Sequence, residues 1–272
     1  MSPVARKLLL LLPVVALALA LAVVGVARYF LRPLSAEPVA QEALRQAGFQ
    51  VREAPYGLEL IPKTPKALLA FYPGARVEPV AYAPVLAPVA RAGYLVVLLK
   101  VPSGIALLAK ERALMAHKAH PHLPLVVGGH SLGGVAAAEL AARENLPLIL
   151  FASYPEGDLS GKAFPTLALY GTLDGLLPPE EAKDKIKRLP KKARVVFVEG
   201  LNHAGFGAYG PQKGDRPAQK PREALWQEIG EEVLLFLESL GLTTPPPPQT
   251  FHPGSGIVKR AGVGAPPRST SP

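Results

Sequence analysis

Three side chains of this 272-residue sequence have the types and the order that an activated hydroxyl nucleophile requires: Ser131, Asp174 and His203. A serine hydroxyl attacks a carbonyl only when a base takes its proton, and the base needs a carboxylate to hold its ring in place. Ser131 stands in LVVGGHSLGGVAAA, Leu125 to Ala138, where Gly129, Ser131 and Gly133 spell GxSxG. Asp174 stands in YGTLDGL and His203 in VEGLNHAGF.

The glycine spacing has a steric cause. A serine at the tip of a tight strand-to-helix turn is backbone-strained, and a side chain two residues before or after it collides with the neighbouring strand or helix. The apolar run Leu125 to Val127 supplies the strand, and the alanine-rich segment after Gly134 supplies the helix. The same turn leaves the N–H of Leu132 unpaired at a helix N-terminus, where developing negative charge is favoured, so Leu132 is one expected oxyanion donor. A flexible glycine loop or a phosphate cradle is the rival reading. It lacks the Lys and the GxGxxG spacing that nucleotide loops use.

Asp174 and His203 each follow a predicted strand, Thr166 to Tyr170 and Val195 to Val198, at the end where open parallel sheets place reactive groups. Asp158 is a rival acid but precedes its strand. Glu199, four residues from His203, reads as a strand-end or surface carboxylate. His130 is expected to pack beside the turn rather than to titrate in catalysis. His117, His120 and His122 form HxxHxH at a predicted helix end with no carboxylate close in sequence. That pattern reads as solvated histidines complementing a helix dipole, not as a metal site.

These residues need a scaffold, and the sequence alternates strands with helices. Leu58 to Ile61, Lys66 to Tyr72, Tyr94 to Val101, Leu125 to Val127, Leu146 to Ala152, Thr166 to Tyr170 and Val195 to Val198 read as strands. Ala36 to Gly48, Tyr82 to Ala92, Ile105 to Ala119, the segment after the elbow, Pro179 to Arg188 and Pro221 to Leu240 read as helices. The expected class is α/β: a mostly parallel sheet with helices on both faces. Between Ala152 and Pro165 there is no room for a large cap domain, which predicts an open site.

Composition closes off other chemistries. The apolar fraction of 49% suits a large core, and the absence of cysteine excludes disulfides, thiolate catalysis and zinc–cysteine sites. The net charge of +9 is concentrated at the ends: Arg6, Lys7, Arg28, Arg32, Lys259, Arg260 and Arg268 have no acidic neighbours there, and the remaining body carries +2. Nucleic acid is therefore not an expected partner. Residues 1–32 form an N-terminal segment in which Leu8 to Ala27 is twenty residues without charge, about 30 Å as a helix and enough to span a bilayer. An uncleaved anchor is favoured over a cleavable signal peptide, and either predicts an exported body. Residues 33–242 are the catalytic-type domain. Residues 243–272, with PPPP, GSG and PPRSTSP, read as a disordered tail. Nothing in the sequence sets the oligomeric state.

The order Ser, Asp, His is that of α/β-hydrolases. FYPGARVEPVAYAP, GGHSLGG, FASYPEGDLS, LYGTLDGL and EGLNHAGFGAYGPQKGD together resemble the α/β-hydrolase fold-5 family, distantly similar to dienelactone hydrolases, over roughly residues 50–240. The resemblance implies the α/β-hydrolase fold, a triad of Ser131, Asp174 and His203, and hydrolysis of a small-molecule ester or related acyl substrate without a cofactor. Dienelactone hydrolases use cysteine where this chain has Ser131, so their substrate does not carry over. The second oxyanion donor must come from the loop after Tyr72. Pro73 has no N–H, Gly74 and Ala75 both do, and analogy favours Ala75. Tyr154, Phe206 and Tyr209 are expected either to wall the acyl or alcohol pocket or to pack against the body's own core. Two other functions share this sequence pattern: a membrane-tethered binding protein that keeps the fold without catalysis, and an acyltransferase.

Overall fold

The computed structural model describes residues 14–25 and 32–242. Residues 14–25 are helical, and Val14, Leu17, Leu19, Leu21 and Val23 are all more than half exposed. The rest of the expected span, 8–13 and 26–27, lies outside the described residues, as do the basic lead and the tail 243–272. No helix among the described residues is long and apolar enough to cross a membrane.

The body is built on one eight-stranded sheet. Its strands are β1 (Phe49–Ala54), β2 (Gly57–Pro62), β3 (Leu68–Tyr72), β4 (Leu95–Leu99), β5 (Leu125–His130), β6 (Leu148–Phe151), β7 (Thr166–Gly171) and β8 (Arg194–Val198). The spatial order is β1-β2-β4-β3-β5-β6-β7-β8. The β1–β2 hairpin lies antiparallel at one edge, and every pairing from β4 to β8 is parallel. Strand β1 is absent from the sequence expectation because its residues, FQVREA, are largely exposed and lack the apolar run of a covered strand.

Two helical layers cover the sheet. Helices α1 (Pro38–Leu44), α2 (Ala83–Arg91) and α6 (Arg222–Ser239) pack on the face presenting Leu69, Phe71, Val96, Val126, Ile149 and Leu167. Helices α3 (Arg112–Ala119), α4 (Leu132–Glu144) and α5 (Pro179–Ile186) pack on the face presenting Leu68, Ala70, Leu95, Val127, Leu150 and Ala168. Adjacent residues of one strand thus point to opposite layers, and the fully covered strands β3, β4 and β6 are apolar or aromatic throughout. The helix expected over Ile105 to Ala119 is instead one 3-10 turn, Ala106–Ala109, followed by α3, and only α3 is α-helical. The segment from Ala152 to Pro165 carries neither helix nor strand, so no cap domain stands over the sheet.

A strap, residues 34–37, crosses the end of the sheet beyond β3. Leu34 bridges Val77, the Leu34 N–H donates to the Arg76 carbonyl, and the Glu37 N–H donates to the Ala208 carbonyl. The Glu78 carboxylate in turn accepts from the Ala36 N–H at 2.8 Å. The loop after β3 is therefore tied down from outside as well as from beneath.

Candidate active site

Ser131 sits where β5 turns into α4, with φ 51° and ψ −123°. A non-glycine residue reaches that region only under strain, which its surroundings must hold. The Ser131 N–H donates to the Phe151 carbonyl at 2.9 Å, and its carbonyl accepts from the Ser153 hydroxyl at 2.7 Å. The flanking glycines are needed for close approach. A Cβ on Gly129 would lie 2.4 Å from the Gly133 backbone, and one on Gly133 would lie 2.3 Å from the Pro73 carbonyl. The elbow therefore presses directly on the loop after β3.

That loop contributes Gly74 and Ala75 to the cavity beside Ser131. The Gly74 N–H donates to the Tyr82 hydroxyl at 2.9 Å and so cannot serve a ligand. Ala75 and Leu132 both line the cavity with Ser131, and neither N–H has a partner among the described residues. Tyr82 Oη also meets His130 Nδ1 at 2.8 Å. Because Tyr82 accepts from Gly74, its own proton is left for Nδ1, which makes His130 the neutral Nε2–H tautomer. Burial holds the His130 imidazole well below its ordinary range, and the neighbouring His203 lowers it further. Its Nε2 is buried without a hydrogen-bond partner among the described residues. As expected, His130 packs beside the turn; its bond to Tyr82 is what the sequence does not reveal.

Asp174 follows β7 and is fully buried. Its Oδ1 accepts the N–H groups of Leu176 and Leu177 at 2.8 and 2.7 Å, which fixes the carboxylate and aims Oδ2 outward. Oδ2 accepts from His203 Nδ1 at 2.8 Å. With Nδ1–H donated, Nε2 is the ring nitrogen left to take a proton. His203 follows β8 and is 3% exposed. The loops that carry Asp174 and His203 also touch directly, since the Leu173 N–H donates to the Leu201 carbonyl at 2.9 Å. Neither rival acid approaches this ring in a hydrogen bond: Asp158 accepts from the Ser160 N–H, and Glu199 is exposed.

Ser131 and His203 line one cavity of about 250 Å³ together with Val77, Val135, Tyr154, Leu176, Leu177, Ser153, Glu181 and Gln212. Its walls are mostly apolar and its size suits a small ligand. Tyr154 lies on this wall, with Lys185 Nζ 4.5 Å from its ring centroid. Phe206 and Tyr209 do not. Phe206 is fully buried, stacked on Phe151 at 5.3 Å and 25°. Tyr209 is 4% exposed, packs against Tyr82 and His130, and donates to Gln212 Oε1 at 2.9 Å, so it stands one residue behind the wall. Residues 204–209 after His203 are buried and take the loop's aromatics into the core, while Gln212 of the same loop lines the cavity.

The HxxHxH reading also needs one correction. His120 Nε2 lies 2.7 Å from Glu59 Oε1, on a carboxylate with no exposed surface. Tyr56 Oη and Arg52 Nε donate to the same carboxylate, each at 2.6 Å. His120 is thus a structural partner of β2, not a solvated helix end. Among the described residues no group of His, Cys, Asp or Glu could hold a metal ion.

A sequence profile of the alpha/beta hydrolase family matches residues 68–227. Among solved structures, TT1662 from Thermus thermophilus is 19% identical, with a TM-score of 0.52 over 70% of this chain and 97% of that one. A predicted CIB-like hydrolase from Thermoplasma acidophilum is 16% identical, with a TM-score of 0.55 over 69% and 100%. MGS-MChE2, an alpha/beta hydrolase from the metagenome of lagoon sediments at Mar Chica, Morocco, is 16% identical, with a TM-score of 0.52 over 70% and 99%. At these identities the likeness is one of fold. No curated protein matches the chain.

Proposed function

Because the chain belongs to the alpha/beta hydrolase family, we propose that it is a serine hydrolase cleaving a small ester or related acyl substrate through an acyl-enzyme. One observation carries this reading: Ser131 and His203 share a cavity while the far nitrogen of the His203 ring is bonded to buried Asp174. Ser131 Oγ attacks the carbonyl carbon as His203 Nε2 takes its proton, and the tetrahedral oxyanion is held by the N–H groups of Leu132 and Ala75. Collapse breaks the bond to the leaving alcohol, which receives the proton from His203. Water then attacks the acyl carbon with His203 as base, and collapse breaks the bond to Ser131 Oγ, which takes the proton back from His203 as the carboxylic acid leaves. Asp174 keeps the ring oriented and stabilises the imidazolium. The cycle uses only these residues and water.

Fluorophosphonate labelling and turnover of short-chain p-nitrophenyl esters test the reading. Wild type is expected to label, and Ser131→Ala to lose both labelling and turnover. Labelling that persists in Ser131→Ala refutes the assignment, and a folded wild type inert to every activated ester favours the binding-protein alternative.

We also propose that Leu8 to Ala27 anchors the protein, with the hydrolase domain outside the cytoplasm. The uncharged length of that run and the exposed apolar helix over 14–25 support it. Recovery of intact chain in the soluble fraction after lysis would overturn the anchor.

A further inference from the structure

The Asp215 carboxylate is surrounded by five N–H donors and, among the described residues, is in no ion pair. Its Oδ1 accepts from the backbone of Gly175 at 3.0 Å, His203 at 3.2 Å and Arg216 at 2.9 Å. Its Oδ2 accepts from Asn202 Nδ2 at 3.0 Å and from the Ala204 N–H at 2.8 Å. Gly175 is the residue after the proposed acid, and Asn202 and Ala204 flank the proposed base. One half-buried side chain therefore grips both loops, from a position twelve residues further along the loop that carries His203.

The close fit on the acid side is independent of that carboxylate. A Cβ on Gly175 would lie 2.5 Å from the Gly214 carbonyl and 2.9 Å from Asp215 Cα, so the two backbones touch. Asn202 reinforces the base side, donating to the Arg216 carbonyl at 2.6 Å and accepting from the Gly205 N–H at 3.0 Å.

We propose that Asp215 is a positioning residue that clamps the Asp174 and His203 loops into register, so that the acid–base pair is set before substrate arrives. The proposal rests on the triad reading given above. A carboxylate is required because every donor faces an oxygen. An amide keeps one oxygen and turns its NH₂ toward donors, so Asp215→Asn loses two or three of the five bonds and adds repulsion. Asp215 lies behind the pair and not on the cavity wall, so the loss should fall on the chemical step.

The test compares wild type, Asp215→Asn and Gly175→Ala, the last as a variant that pushes the clamp away while leaving its carboxylate intact. Both variants are expected to lower kcat by roughly 10- to 100-fold, the cost of misplacing catalytic groups by about an ångström, while KM stays within about threefold. Amide exchange at Gly175 and Ala204 should accelerate together, with the strands of the sheet unchanged. Wild-type kcat in an Asp215→Asn preparation whose Ser131 a separate aliquot shows to be fully reactive toward fluorophosphonate, or exchange at Gly175 unlinked from that at Ala204, overturns the clamp while leaving the triad standing. A parallel rise in KM and loss of sheet protection also overturns it, since that marks a general structural role. Wild type that fails to label at Ser131 instead brings down the triad reading, and the clamp's catalytic role with it.

Discussion

Replacing Tyr82 by Phe removes one oxygen and strands two buried groups, the Gly74 N–H at 2.9 Å and His130 Nδ1 at 2.8 Å. Tyr82 is fully buried, so water cannot take over either bond. An orphaned buried polar group costs about 1–3 kcal/mol, and deleting the buried hydroxyl itself offsets part of two such losses, leaving about 3 kcal/mol. For a domain of this size that corresponds to a fall in Tm of roughly 6–12 °C. Activity should fall as well. Gly74 precedes Ala75, and loosening it lets the proposed oxyanion donor drift; losing such a donor outright costs roughly 100- to 1000-fold in kcat, so a drift should cost about tenfold. Guanidinium unfolding with p-nitrophenyl ester kinetics measures both quantities. A double-mutant cycle with His130→Phe isolates the pair and should return a coupling of about 1 kcal/mol. If Tyr82→Phe loses under about 1 kcal/mol with unchanged kcat, the hydroxyl does not hold the loop and the reasoning fails.

Other expectations follow from the same contacts. Burial alone would raise the Glu59 carboxyl, but donation from Arg52, Tyr56 and His120 outweighs it and holds the group below its ordinary value. A carboxyl depressed in the folded state stabilises the fold above its unfolded pKa and ceases to do so as pH falls through the folded one. Thermal unfolding from pH 6 downward should therefore fall more steeply in wild type than in Glu59→Gln, and parallel curves would exclude this linkage. Phe206→Ala should cost about 3–5 kcal/mol of stability by emptying a core site, whereas Tyr154→Ala should leave stability nearly unchanged and raise KM for longer acyl chains. The opposite pattern would put Phe206 back on the pocket wall.

The elbow was legible because sterics allow few residues around Ser131: two contacts under 2.5 Å explain both glycines of the motif. The strands β3 to β8 were legible because a sheet covered on both faces demands uninterrupted apolar runs. Strand β1 has no such run, and a hairpin edge asks for none. Asp215 was invisible for another reason. It belongs to a Gly- and Pro-rich loop with no periodicity, and its partners at 175 and 202–204 meet it only after the chain has folded back. The His120–Glu59 pair spans 61 residues and was hidden the same way. Aromatic residues in that loop could point inward or outward with equal ease on paper. The cavity wall took Tyr154, and the core took Phe206 and Tyr209.

The contact between Gly133 and the Pro73 carbonyl divides this scaffold for anyone wishing to redirect it. Main-chain atoms on both sides of that seam leave no space for a substituent, so the proposed oxyanion donors come as a fixed unit that mutagenesis can break but not retune. Freedom lies on the opposite bank, at Tyr154, Leu176 and Leu177, whose side chains can be enlarged, trimmed or charged while the seam stays closed. Libraries aimed at a new leaving group belong there.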